Sequence, residues 1–176
     1  CCCKCMCLWL LQGRSNMSTV GVAFVSPTNS PLFIKRFDDE SSLDLLFVIH
    51  SALDAVEESQ ASSMRASRKC YLGLLSLIDG YAVYGYLSNT LIKVIVVLDA
   101  QPNAYVVPND AAMEAYLKKL YFIYVDAVSN PFFEMNSCFQ VDEVSNLDPS
   151  KMPRYPELMI SFHNRIAQLA QRTWVS

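Results

Sequence analysis

Glycine, histidine and charge are all scarce in this chain of 176 residues, and each scarcity removes a class of function. The five glycines are scattered, and none opens a Gly-rich turn ahead of a helix, so there is no phosphate-binding loop to support nucleotide chemistry. The two histidines are His50 and His163. His50 stands four residues before Asp54, within reach of a shared hydrogen bond on one helix face. A nucleophile would have to come from Cys70 or Cys138, and neither sits in a recognisable nucleophile turn. Cys70 therefore reads as a small buried apolar side chain, and His50 as a surface residue. No pair of His, Cys or carboxylate residues in the body of the chain has ligand spacing with a second pair to complete it, so neither metal nor cofactor is implied. Charged residues make up 18% of the chain, and the net charge is −3. That balance lacks the concentrated basic face of a nucleic-acid partner; the short run Arg65–Lys69 reads as a solvated turn. Nor does any apolar run reach the roughly 18 residues that a membrane-spanning helix needs.

The seven cysteines are an odd number, and five of them crowd into CCCKCMC at the start. Only two thiols remain for the folded part, so no disulfide framework is implied and a reducing compartment is. The terminal cluster has thiols that suit a soft metal or acyl chains, but no second ligand pair at zinc-finger spacing. Cys5–Leu11 imitates the apolar part of a secretion signal without its basic lead or cleavage pattern. Residues 1–16 are read as a non-native or disordered Cys-rich extension ahead of Met17. Residues 17–176 form one domain, since the chain suits one ordinary domain better than two.

What is abundant is apolar surface, 52% of the residues, and it is organised around Lys69–Asp99. Asp79-Gly80 is a type I′ turn pair flanked by β-favouring residues, which predicts a hairpin. With that pair as the loop, Ile78 faces Tyr81, Leu75 faces Tyr84, Leu74 faces Gly85 and Gly73 faces Tyr86, so each glycine lies across from a larger side chain. A second turn at Ser88-Asn89-Thr90 leads into LIKVIVVL, with Ile92, Val94, Val96 and Leu98 on one face and Leu91, Ile95 and Val97 on the other. Both faces are apolar, so the sheet is expected to carry helices on both sides.

The remaining chain supplies them. Thr19–Val25 and Leu32–Phe37 read as a strand pair joined by the turn cluster SPTNSP. Ser41 and Asp44 have N-cap spacing ahead of a helix from Ser42 to Glu58, buried along Leu45, Leu46, Ile49, Ala52, Leu53 and Val56. Phe47 is an aromatic on its polar side. Asn109 or Asp110 caps a second helix with Met113, Leu117, Leu120, Tyr121, Tyr124 and Val128 inward, and Asn130-Pro131 ends it. A long loop at 140–155 precedes a third helix from Pro156 to about Arg172, with Leu158, Phe162, Ile166 and Leu169 buried. Tyr84, Tyr86, Tyr121 and Tyr124 fall on core positions rather than on a stacking platform. The order is β-β-α-β-β-β-α-α: an α+β sandwich, five antiparallel strands with one helix on one face and two on the other.

Several blocks in order carry a resemblance. Ser51-Ala52-Leu53-Asp54, Val56-Glu57-Glu58, Tyr71-Leu72-Gly73-Leu74-Leu75, Val83-Tyr84-Gly85-Tyr86, Ser88-Asn89, Lys93, Val96-Val97, Asp99 and Asn130-Pro131-Phe132-Phe133 resemble the sedlin family of TRAPP vesicle-tethering subunits. The Tyr-Leu-Gly-Leu-Leu and Val-Tyr-Gly-Tyr blocks are most similar to the TRAPP subunit 2-like branch, and the likeness spans Met17 to Ser137. Two features depart from the family pattern: the Cys-rich start, and a longer, more acidic Gln140–Tyr155. Ser161-Phe162-His163 also stands where the family tends to carry Ala-Phe-Asp.

The resemblance implies a longin-type (SNARE-like) fold and a non-enzymatic subunit, without cofactor, of a complex that tethers transport vesicles. Its partners would be other TRAPP subunits and, indirectly, a Rab GTPase whose exchange factor the complex forms. It would be cytoplasmic and peripheral at Golgi and ER–Golgi membranes. The alternative is a stand-alone longin-like module that takes a lipid or SNARE-type peptide in a groove beside the sheet. The partner-binding candidates are Asp54, Glu57, Glu58, Phe47, Asn130, Pro131 and Phe132. Three acids at the end of a helix run against its dipole by roughly 0.3–1 kcal/mol each, a placement that stability alone would not select.

Overall fold

The computed structural model describes residues 18–37, 45–63, 69–100, 108–132 and 156–171. Residues 1–16, the Ser41–Asp44 cap, Arg65–Arg68, Phe133, Cys138 and the loop at 140–155 lie outside these. The elements follow the expected order: β1 (Thr19–Val25), β2 (Pro31–Arg36), α1 (Leu45–Ser63), β3 (Tyr71–Ile78), β4 (Tyr81–Leu87), β5 (Lys93–Asp99), α2 (Asp110–Val128) and α3 (Pro156–Ala170). All five strands join one sheet in the order β2-β1-β5-β4-β3, and every pairing is antiparallel. The β1–β2 hairpin thus docks through β1 onto β5, which makes β5 the central strand, apolar on both faces.

Turn chemistry sets the β3–β4 hairpin as expected. Asp79 (φ 49°) and Gly80 (φ 82°) both take the left-handed region, and Ile78 pairs with Tyr81. The expected register holds as far as Ser76, which pairs with Val83, and fails beyond it. Leu74 pairs with Tyr84, Gly73 with Gly85 and Tyr71 with Tyr86, because Leu75 and Leu72 are bulged out of the ladder. Gly73, at φ 77°, supplies the conformation that the second bulge demands. The first bulge has a packing cause. A Cβ on Gly85 would meet Leu75 Cδ1 at 2.6 Å, so Leu75 lies over the glycine and covers the gap that a directly opposed residue was expected to cover.

The two faces of the sheet carry separate cores. On one, α2 and α3 cover Val22, Phe24, Phe33, Tyr84, Val94, Val96 and Leu98; on the other, α1 covers Val20, Ala23, Val25, Val83, Ile95 and Val97. The alternation read along β5 is therefore observed. Leu91 is an exception, exposed in the turn at φ 62° rather than facing α1.

Helix phases needed correction. In α1 the buried stripe is Leu45, Val48, Ile49, Ala52, Leu53 and Val56, an unbroken three- and four-residue pattern that leaves Leu46 outside it. The helix also runs five residues past Glu58, to Ser63. Ser59 Oγ donates to Ala55 O at 2.8 Å, so this serine satisfies itself inside the helix instead of ending it. Asn109 caps α2, its Oδ1 accepting from Ala111 N at 3.0 Å. Tyr116 and Ile123 join the buried face of α2, while Tyr121 and Val128 are half-buried at its margin. In α3, Met159, Phe162, His163, Ile166 and Ala170 face inward, one position round from the expected Leu158 and Leu169, which are half-buried. His163 packs edge-on to Phe33 with ring centroids 5.0 Å apart.

Candidate functional site

The outer face of α1 presents an apolar head and an acidic body. Phe47 and Leu46 are 61% and 51% exposed at its described start. Three- and four-residue steps then place Phe47, His50, Asp54, Glu57 and Glu58 along one exposed stripe turned away from the sheet. The structure thus brings together four of the seven candidates. Asn130, Pro131 and Phe132 lie elsewhere, at the end of α2 on the opposite side of the sheet. There Asn130 Oδ1 accepts from Phe132 N at 3.0 Å, and the Phe132 side chain is 58% exposed.

The acids are not at a helix end. With α1 continuing to Ser63, Asp54 to Glu58 occupy its interior, beyond the last-turn range of the dipole, so the electrostatic penalty expected for them there does not apply. Glu57 has a partner instead. Asn29 Nδ2 donates to Glu57 Oε1 at 2.6 Å, and Asn29 Oδ1 accepts from Lys93 Nζ. Asn29 holds its place in the β1–β2 turn in the left-handed conformation, φ 62°, which asparagine tolerates better than most residues. Lys93, at the start of β5 between Val25 and Leu87, is only 4% exposed. Burial pushes its ammonium below the ordinary lysine range, and the Glu57 charge partly opposes that shift. An uncompensated buried cation costs several kcal/mol, and the chain through Asn29 to a carboxylate is the compensation.

Asn29 and Lys93 were missed as site residues. Their one sequence signal was Lys93 itself, the sole cation in the run LIKVIVVL, because a charge inside a strand covered on both faces must find a partner.

On the other face, a shallow groove of about 400 Å³ runs between α2 and α3, lined by Lys119, Phe122, Ile123, Arg165, Gln168 and Leu169. Arg165 spans it to Asp126 with an Nη2–Oδ2 distance of 2.7 Å. A smaller one of about 150 Å³ continues past Asn130, Leu158 and Ser161. Phe122 and Ile160 are exposed on this side.

The remaining polar groups tie elements together. Tyr71 Oη donates to Asp110 Oδ1 at 3.0 Å, joining β3 to the first turn of α2, and burial with this carboxylate holds the phenol well above the usual tyrosine range. Cys70 packs against the α2–α3 core as expected but is half-buried rather than buried, and its thiol donates to Asn89 Oδ1 at 3.7 Å. An amide oxygen cannot take the proton as a base would. Burial, then the adjacent Cys70, pushes Tyr86 up to about 12. Among the described residues no group of three His, Cys, Asp or Glu side chains could hold a metal ion, and no helix is long and apolar enough to cross a membrane.

Comparison with known proteins bears on this arrangement. A family model described as Sedlin matches residues 24–146, more than half of the chain. The trafficking protein particle complex subunit 2-like protein of Dictyostelium discoideum is 39% identical over 140 residues, covering 74% of this chain and 96% of that one. Its Bos taurus namesake is 33% identical over 117 residues, covering 65% of this chain and 82% of its own. Trafficking protein particle complex subunit 20 of Saccharomyces cerevisiae is 22% identical over 151 residues, 72% of this chain and 76% of that one. With five strands in the order β2-β1-β5-β4-β3 between one helix and two, and a family match across most of its length, the chain belongs to the sedlin family and has that family's longin-like fold.

Proposed function

We propose that this protein is a non-catalytic subunit of a trafficking protein particle (TRAPP) complex. It would contact a neighbouring subunit through the outer face of α1, headed by Phe47 and continuing through Asp54 and Glu58 with Glu57 at its edge. The observation that carries this is the exposed Phe47–Leu46 pair at the head of an acidic stripe, on a helix whose other side is fully committed to the sheet. Adjacent exposed large apolar side chains cost solubility and are useful where another surface covers them. An aromatic anchor rimmed by charge is the usual make-up of an interface centre.

The names of the relatives supply the kind of complex. The finer reading is that the complex activates a Rab GTPase in ER-to-Golgi or intra-Golgi transport, with only peripheral membrane contact through the assembly. Asn130, Pro131 and Phe132 would serve a second neighbour, since the sheet separates them from α1. A stand-alone module carrying a lipid or peptide would need a deep apolar cleft. The grooves between α2 and α3 are shallow and edged by Lys119, Arg165 and Gln168, which favours the subunit.

The test uses purified Dictyostelium discoideum TRAPP complex from which its own subunit 2-like protein has been removed. The tagged full chain should bind it stoichiometrically, and Phe47→Ala should weaken that binding. Failure of the parent chain to bind would overturn the subunit reading; undiminished binding of Phe47→Ala would overturn the choice of surface.

A further inference from the structure

The acids of α1 do not stand in equivalent positions. Asp54 and Glu58 point to solvent, whereas Glu57 receives the Asn29 amide, which in turn receives the buried Lys93 ammonium. The three groups come from three separate elements: the β1–β2 turn, α1 and the first residue of the central strand. Lys93 lies on the α1 side of β5, in line with Ile95 and Val97 beneath the helix. The hydrophobic effect is non-directional and does not by itself select one setting of the helix along the sheet. A hydrogen-bonded chain anchored on a buried charge is directional, and it fixes one point along α1.

We propose that Asn29 and Lys93 are positioning residues for the partner-binding face: they draw the Glu57 carboxylate onto the sheet, set the rotation of α1, and so determine how Phe47, Asp54 and Glu58 meet the partner. This rests on the subunit reading above. Glu57 is then a tether, and its negative charge is not itself read by the neighbour.

Three variants separate a tether from a contact. Asn29→Gly removes the middle of the chain and keeps the turn, because glycine takes the left-handed conformation without strain. Lys93→Met removes the buried cation and retains an unbranched apolar side chain. Glu57→Gln removes the charge but leaves a carbonyl oxygen to accept from Asn29 Nδ2. Two readouts are needed: hydrogen exchange of the α1 amides, and binding of each full-length variant to the depleted Dictyostelium discoideum complex.

Asn29→Gly and Lys93→Met should speed exchange in Asp54–Ser59 while leaving α2 and α3 as in the parent. They should also weaken binding by about fivefold or more, the lower end of a typical coupling between sites. Glu57→Gln keeps the hydrogen bond from Asn29 Nδ2 and loses only the charge that partly offsets the burial of Lys93, so its exchange and its binding should both move less than in the other two variants. Unchanged α1 exchange in Asn29→Gly and Lys93→Met would overturn the tether whatever the binding. Faster exchange with parental binding would overturn its link to the partner. Loss of binding in Glu57→Gln with parental exchange would make Glu57 a direct contact and overturn the proposal as well. If the parent does not bind, the subunit reading fails, and the coupling claimed here fails with it; the exchange data would still say whether α1 is tethered.

Discussion

The two sides of the sheet are built on different principles. The side under α2 and α3 is aromatic: Phe24 stacks on Tyr124 at 5.4 Å, and Phe33 meets Phe162 edge-on at 5.2 Å. The side under α1 is small and aliphatic. A Cβ on Gly21 would meet Leu45 Cδ1 at 2.8 Å, and Ala23, Ala52 and Gly85 complete a surface onto which side chains press closely. Large interlocking rings resist deletion, because removing one leaves a cavity that neighbours cannot fill. Close approach resists insertion, because there is no space to fill. The aromatic side is committed to holding α2 and α3; the α1 side adds one polar tie and turns Phe47 and Leu46 outward.

The largest effect should come from the aromatic side. Phe33 is fully buried, and Phe33→Ala should cost about 3–5 kcal/mol in denaturant unfolding. A loss below 1 kcal/mol would mean that this face repacks freely, and the contrast would fail. Next comes the α1 side. Gly85→Val should lower stability by about 1–3 kcal/mol, since its side chain must displace Leu75. Parental stability would show that Leu75 swings clear and that this face is not tightly closed.

The polar tie has its own signature in pH. The Lys93 folded-state pKa lies below its ordinary 10.5, so between the two values the unfolded chain holds more protons and stability rises with pH. Tyr86 acts in the opposite sense: raised from 10 to about 12, it stays protonated when folded after the unfolded phenol has ionised, and stability falls across that window. Comparing the parent with Lys93→Met cancels the tyrosine contribution. The parent should gain on the variant as pH rises from neutral towards 10.5. A difference that stays flat would show that Lys93 is solvated and bears no burial penalty.

The smallest effect on stability should be at Asp54. Asp54→Lys replaces a like-charged pair with Glu58 by an attractive one four residues apart, a change within about 0.5 kcal/mol. Thermal unfolding should be unchanged or slightly improved while binding to the depleted complex falls. A collapsed fold would place Asp54 among the structural residues.

Legibility in the sequence divided along similar lines. Short-range chemistry was readable: the Asp79-Gly80 turn, the alternation of β1, the cap at Asn109 and the start of α3 at Pro156 each follow from neighbours in the chain. What depended on distant neighbours was not. The bulge at Leu75 answers to the gap over Gly85, Leu46 and Val48 are equally apolar and only the sheet chooses between them, and Ser59–Ser63 reads as linker until its serine is seen bonding within the helix. The candidate site showed the same split. Phe47 was visible as an aromatic off the helical stripe, whereas Asn29, Glu57 and Lys93 meet across gaps of 28 and 64 residues that no local pattern spans. The separation of Asn130–Phe132 from α1 likewise follows only once a sheet is known to lie between them.

The paired bulges of β3 also bear on edge-to-edge self-association. Leu74 and Leu77 leave β3 with exposed apolar side chains at the rim of the sheet, the circumstance in which a strand templates the addition of another copy and association runs on without limit. Templating needs a straight row of evenly spaced amide and carbonyl groups. Breaking the row at Leu72 and again at Leu75 leaves no stretch of regular spacing long enough to seed it, and at the opposite rim β2 begins with Pro31, which has no amide hydrogen to offer. Growth by strand addition is therefore opposed at both rims, by broken spacing along β3 and by a missing donor at the start of β2.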